Sequence, residues 1–219
     1  MADPRLHLLH LASPALPIGA YAYSQGLEYA IEEGWVEGSA LQSWLSDGLA
    51  LGLTRLELPV LLRAHAATLA NDESSLGDWN DWILANRETK ELLLEDQQVG
   101  AALWRLLTSL QAAGLPKLRQ PPAYAIAFAV AAARWRISAA DACHAFCYSW
   151  LENQVTAATK LVPLGQTEAQ KLLLRLFDDI PDACASAAGV MDDEMGLSLA
   201  GLALASSLHE HQHTRLFRS

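Results

Sequence analysis

Ala123-Tyr124-Ala125-Ile126-Ala127-Phe128-Ala129-Val130-Ala131-Ala132-Ala133, closed by Arg134-Trp135-Arg136, is the stretch on which the fold turns. Its eleven apolar residues fall well short of the about 20 needed to cross a bilayer, so the segment reads as a core helix and not a membrane span. The thirteen-residue run from Gly196 to Leu208, rich in small residues, reads the same way. Around these runs the chain is built from helix formers. Its 219 residues include 38 Ala and 40 Leu, against 21 Val, Ile and Thr together. Strands need the β-branched residues that are scarce here. With 52% hydrophobic and 18% charged residues, most of the chain must fold. The expectation is an all-α protein, a single irregular bundle of about seven to ten helices, with one domain over residues 1–208 and a tail over 209–219.

A net charge of -10 repels phosphate backbones and argues against a nucleic-acid partner. The start, Met1-Ala2-Asp3-Pro4, lacks the basic and apolar regions of a secretory leader, and the three cysteines are an odd number. A reducing cytoplasm is the expected compartment.

Proline and glycine punctuate the rest. A helix is expected over Pro4 to Ala12. Ser13-Pro14-Ala15-Leu16-Pro17-Ile18-Gly19 cannot continue it and reads as a loop of fixed shape. A second helix should run to about Glu33, closed by Gly34. Ser39-Ala40-Leu41-Gln42 has capping-box spacing and opens a long helical stretch to about Leu69, bent near Pro59. Asn71 to Gly77 reads as a loop, Asp78 to Leu110 as one helix, and Gly114 to Pro122 as a break. Ser138 should cap a helix reaching Leu161. Helices over Thr167 to Asp179 and after Pro181 follow, then an acidic loop from Gly189 to Gly196 and a last helix into His209.

Candidate chemistry is sparse. No Gly-rich phosphate loop ending in Lys-Ser or Lys-Thr is present, and no Gly-x-Ser-x-Gly elbow. Cys143, His144 and Cys147 sit in apolar surroundings and read as buried thiols rather than metal ligands. Trp79 and Trp82 read as core. Glu88, Glu91 and Glu95 follow helical spacing, the pattern of a solvated acidic face. On a helix His209 and His213 would share a face and could hold one divalent ion, with His211 elsewhere; the plainer reading is a polar terminal segment. The final Arg215-Leu216-Phe217-Arg218-Ser219 either packs back on its own domain or orders on a partner.

Four strings taken together resemble the urease accessory protein F family. They are Leu11-Ala12-Ser13-Pro14-Ala15-Leu16-Pro17-Ile18-Gly19 with Tyr21-Ala22-Tyr23-Ser24-Gln25-Gly26-Leu27-Glu28; Arg87-Glu88-Thr89-Lys90-Glu91-Leu92 with Gln98 and Gly100; Tyr148-Ser149-Trp150 with Lys160-Leu161-Val162-Pro163-Leu164-Gly165-Gln166; and His209-Glu210, Gln212 and the closing Arg215 to Ser219. They span the chain from end to end.

That resemblance implies an all-α, cytoplasmic, dimerising protein that does no chemistry and needs no cofactor. It implies binding to accessory protein D (H in some organisms) and to the nickel-binding GTPase, accessory protein G, in an assembly that activates apo-urease. Nickel then enters a site belonging to urease. The implied partner-binding residues are Pro17, Gly19, Tyr23, Gln25, Glu28, Arg87, Glu88, Lys160, Gln166, Arg215, Leu216, Phe217 and Arg218. The loop, Tyr23 and the ordered tail are expected to make one docking area for the GTPase, with Leu216 and Phe217 buried against accessory protein D. Arg87 and Lys160 are candidate contacts, although Arg87 could equally pair with Glu91 on its own helix. The rival reading is a nickel carrier using His209, His211 and His213.

Overall fold

A computed structural model describes residues 3–110, 114–196 and 199–219. Among the described residues there are eleven α-helices and no strand: α1 Pro4–Leu11, α2 Leu27–Glu32, α3 Ala40–Asp47, α4 Glu57–Ala70, α5 Glu73–Ala85, α6 Lys90–Ser109, α7 Tyr124–Arg134, α8 Ala139–Leu161, α9 Gln166–Leu176, α10 Ile180–Ala188 and α11 Ala200–His209. No helix among them is long and apolar enough to cross a membrane.

The alanine-rich stretch is the axis of the molecule. Every residue of α7 from Ala125 to Ala133 is buried, and α4 and α6 lie along it, with α8 and α5 completing the surround. A helix buried on all sides cannot leave its first amide groups to water. Neighbouring helices supply the partners: Asn80 of α5 accepts from the Ala123 N–H at 2.8 Å, and Asp96 of α6 accepts from the Tyr124 N–H at 2.6 Å. The α6–α7 crossing is close because Gly100 carries no side chain. A Cβ there would lie 2.1 Å from the Pro122 carbonyl oxygen.

Several boundaries differ from the sequence expectation. Ser39 does not cap α3: its backbone is already helical and its side chain makes no cap bond. The stretch to Leu69 breaks at Gly48–Gly52, in a π turn followed by a 3-10 turn at Leu53–Arg55. Pro59 causes no bend, because it occupies the first turn of α4, where a proline is tolerated. Gly48 is needed at the real break, since the Trp150 ring lies 2.7 Å from where its Cβ would be. The expected loop from Asn71 to Gly77 is only a two-residue joint: Asn71 is left-handed, and Asp72 caps α5 by accepting from Ser75 N–H. The expected helix from Asp78 to Leu110 is two helices, because Thr89 caps a new one by accepting from Leu92 N–H. The segment after Gly19 is a 3-10 turn at Ala20–Ala22 and then α2, which Gly26 opens with φ 79° while packing against the α11 backbone.

Candidate docking site

Three parts of the chain meet at one end of the bundle: the segment from Ser13 to Glu28, the first half of α6, and residues 209–219. The last of these is not a loose tail. His209 is fully buried, its Nδ1 2.7 Å from Glu91 Oε2 and its Nε2 3.1 Å from Glu28 Oε2. Both ring nitrogens face carboxylate oxygens, so the ring serves both contacts as a donor only when both carry protons. Arg215 Nη1 donates to Glu91 Oε1 at 2.8 Å. The imidazole and the guanidinium therefore converge on two buried carboxylates.

Glu28 also fixes the backbone beyond the cluster. Its two oxygens accept the Leu216 and Phe217 amides at 2.7 and 2.9 Å. The Arg218 amide donates to the Ala22 carbonyl at 2.9 Å. The Ser219 backbone oxygen accepts from Ser24 N–H at 2.7 Å, Gln25 N–H at 3.0 Å and Ser24 Oγ at 2.6 Å. Phe217 is buried, with the Lys160 ammonium 5.3 Å from the centre of its ring.

A second polar network lies beneath. Gln25 donates to Glu95 Oε1 at 2.8 Å and accepts from Trp150 Nε1 at 2.7 Å, while Ser219 Oγ donates to Glu95 Oε2 at 2.8 Å. Arg87 leaves the α5–α6 joint and turns inward, pairing with Glu57 at 2.6 Å and Asp96 at 2.8 Å. Burial alone would lower its basicity, but Asp96 and Glu57 more than offset this and keep the guanidinium charged. Over these groups a cavity of about 290 Å³ opens beside the Ser13–Gly19 loop, lined among others by Ile18, Tyr21, Arg87, Glu95 and Trp150. Arg87 and Glu95 are both engaged with protein partners within it.

Of the residues expected to bind partners, Tyr23, Glu28, Arg87 and Phe217 lie inside the molecule. Tyr23 donates from its hydroxyl to Gln98 Oε1 at 2.7 Å, and Arg87 bonds across to α4 and α6 instead of to Glu91. These groups build the surface from within. Gln25 and Arg215 are part-buried links in the networks. Pro17, Glu88, Lys160, Gln166, Leu216 and Arg218 are exposed, and Gly19 is half-buried. Gly19, Tyr21, Ala22 and Arg218 border one open groove with Gln98 and Arg105 of α6, so the early loop and the tail do share a face. Gln166 lies apart, at the start of α9.

Two readings need correction. Glu91 and Glu95 are not a solvated stripe, since both receive hydrogen bonds from the tail. Nor do the tail histidines come together: His209 has both nitrogens occupied, and α11 ends there, leaving His211 and His213 exposed beyond it. His209-Glu210-His211-Gln212-His213 also has the spacing of a zinc-protease helix, but that geometry needs helix through His213. No group of three His, Cys, Asp or Glu residues is placed to hold a metal among the described residues. Asp96 and Glu57 carried no sequence motif of their own. The available signal was position: Asp96 stands between Leu92 and Val99 on the buried line of α6, where a charge must be paired.

Glu95 gives a pH prediction. Burial pushes its carboxyl from the ordinary 4.5 up to about 7, against the lowering pull of the Ser219 and Gln25 hydrogen bonds. Between these values the folded chain binds more protons at Glu95 than the unfolded chain does. Its contribution is therefore fully present below about 4.5 and is lost as pH rises through about 7. Glu95→Gln, neutral throughout, should melt higher than wild type at pH 8 and show no such advantage at pH 4.5. A melting difference that does not vary with pH would contradict this.

Comparison with known proteins agrees on one family. A family model described as UreF matches residues 36–177. A urease accessory protein UreF from Teredinibacter turnerae is 52% identical over 221 residues, covering all of both chains. That of Chromohalobacter salexigens is 52% identical over 214 residues, 97% of this chain and 93% of its own. That of a Nostoc species is 46% identical over 218 residues, with coverage of 98% and 95%.

Proposed function

The chain belongs to the UreF family of urease accessory proteins, and from that membership we propose that it helps assemble the nickel centre of apo-urease by binding accessory protein D/H and recruiting and regulating the GTPase accessory protein G. The observation that carries this reading is the locked tail. Glu28, His209, Glu91 and Arg215 hold residues 216–219 in place, so that Leu216, 61% exposed, stands outward and Arg218 borders the groove that it shares with Tyr21, 65% exposed. Large exposed apolar side chains on a rigid, internally bonded frame are what a protein interface uses as anchors. Dimerisation belongs to the same reading.

Regulation of the GTPase is assigned to selecting one of its conformational states. An inserted arginine needs a guanidinium free to reach phosphate. Arg87 is 10% exposed and bound to two carboxylates, so it cannot leave without stranding both. Nickel is cargo handed on within the assembly, and the tail histidines are not assigned to carry it.

The test is a pull-down with tagged accessory proteins D/H and G, using the wild-type chain, a Leu216→Ala/Arg218→Ala double variant and Glu28→Gln. The double variant should keep its melting temperature and lose capture of at least one partner by tenfold or more. Glu28→Gln should lose capture together with protection of the Leu216 and Phe217 amides from hydrogen exchange. Full capture of both partners by the double variant would overturn the assignment of this face.

A further inference from the structure

The three cysteines play no part in the docking site, and α8 and α10 bring them together. Cys147, fully buried on α8, has its sulfur 3.9 Å from that of Cys184 on α10. Cys143 lies one turn from Cys147 on the same buried side of α8. We propose that Cys147 and Cys184 are a dithiol that a hydroperoxide converts reversibly into a disulfide joining α8 to α10. The sulfurs, 3.9 Å apart on helices already packed against each other, need to approach by about 2 Å to reach the ~2.05 Å of an S–S bond.

The two sulfurs differ in a way that sets the order of steps. The two sulfurs share a hydrogen bond in which either can donate; with Cys147 as donor the Cys184 pKa is lowered, and a charged His144 nearby acts in the same direction. That same hydrogen bond and burial raise Cys147. Cys184 also sits nearest the surface, at 9% exposed against 0% for Cys147 and 1% for Cys143. Cys184 is therefore the attacking thiolate. Its sulfur attacks one peroxide oxygen, the O–O bond breaks, and hydroxide or alkoxide leaves, giving the Cys184 sulfenic acid. Cys147 then attacks the Cys184 sulfur: the S–S bond forms, the S–O bond breaks, and water departs with the Cys147 proton. Two thiols are oxidised, one peroxide is reduced, and with hydrogen peroxide two waters result. Cys147 and Cys184 are the pair whose sulfurs are in contact among the described residues, which leaves Cys143 out of the exchange.

The experiment treats the full, folded chain with a small excess of hydrogen peroxide, unfolds it, alkylates the remaining thiols and measures intact and peptide masses. One alkylated cysteine should remain of the three, with the peptides bearing Cys147 and Cys184 linked and the link released by dithiothreitol. Cys143→Ser should behave like wild type. In Cys147→Ser, dimedone should label Cys184. Three alkylatable thiols after treatment, a link through Cys143, or a link only between chains would each overturn the proposal, and the wild-type readout alone suffices if a variant fails to fold.

Discussion

Arg87→Ala should be among the most damaging single changes in this protein, costing about 3–5 kcal/mol, the usual result of removing one partner from a buried ion pair. Two carboxylates depend on this guanidinium: Glu57, whose side chain is 13% exposed, and Asp96, 4% exposed. Asp96 also holds the first amide of α7, so its displacement reaches the central helix. A melting shift of roughly 10 °C follows for a chain of this size. Arg87→Lys keeps the charge but loses the fork that reaches both carboxylates, and should fall between wild type and alanine. Thermal melts of both variants measure the effect; an alanine variant within about 1 kcal/mol of wild type would show that Glu57 and Asp96 are solvated in the protein as it stands.

Gly100→Ala should be comparably severe, and the direction is opposite to what helix propensity suggests. In an exposed helix this exchange gains about 0.5–1 kcal/mol. Here the new Cβ would lie 2.1 Å from the Pro122 oxygen, 2.6 Å from the Ala123 carbonyl carbon and 2.8 Å from the Tyr124 nitrogen. All three are backbone atoms at the start of α7 and none can rotate away. The helices must separate, which strains the Asp96–Tyr124 bond and opens the core. Overpacking in a tight core costs about 1–3 kcal/mol and more where backbone must move, so we expect at least about 3 kcal/mol net. Denaturant titration decides the sign; a variant as stable as wild type would mean that α6 and α7 slide apart freely.

The fold class and most helices were legible in the sequence, because leucine and alanine content and the Pro/Gly breaks act locally. Ser138 caps α8 as its spacing indicates, and Pro181 starts α10. What local pattern could not show was which breaks tertiary contacts would choose. Gly48 is helical and leaves room for Trp150, a hundred residues on, while the chain departs from helix at Gly52 and Leu56. Thr89 caps a helix that the apolar period alone runs straight through. The site was legible in part: the strings carrying Glu28, Arg87, Glu91 and the tail were singled out, but as surface. Their inward orientation follows from mutual pairing between segments up to 195 residues apart, which no window of sequence displays. Glu91 and Glu95 were misplaced for the same reason. A carboxylate at helical spacing looks alike whether water or a distant arginine satisfies it.

The meeting of Ser24 with Ser219 and of Glu28 with His209 has a consequence for biogenesis. Synthesis runs from the amino end and early segments fold first, yet the pocket around Glu28 has nothing to close it until residues 209–219 have been made. A nascent or clipped polypeptide lacking residues 209–219 would leave the buried carboxylates of Glu28 and Glu91 without the imidazole, guanidinium and amide groups that satisfy them.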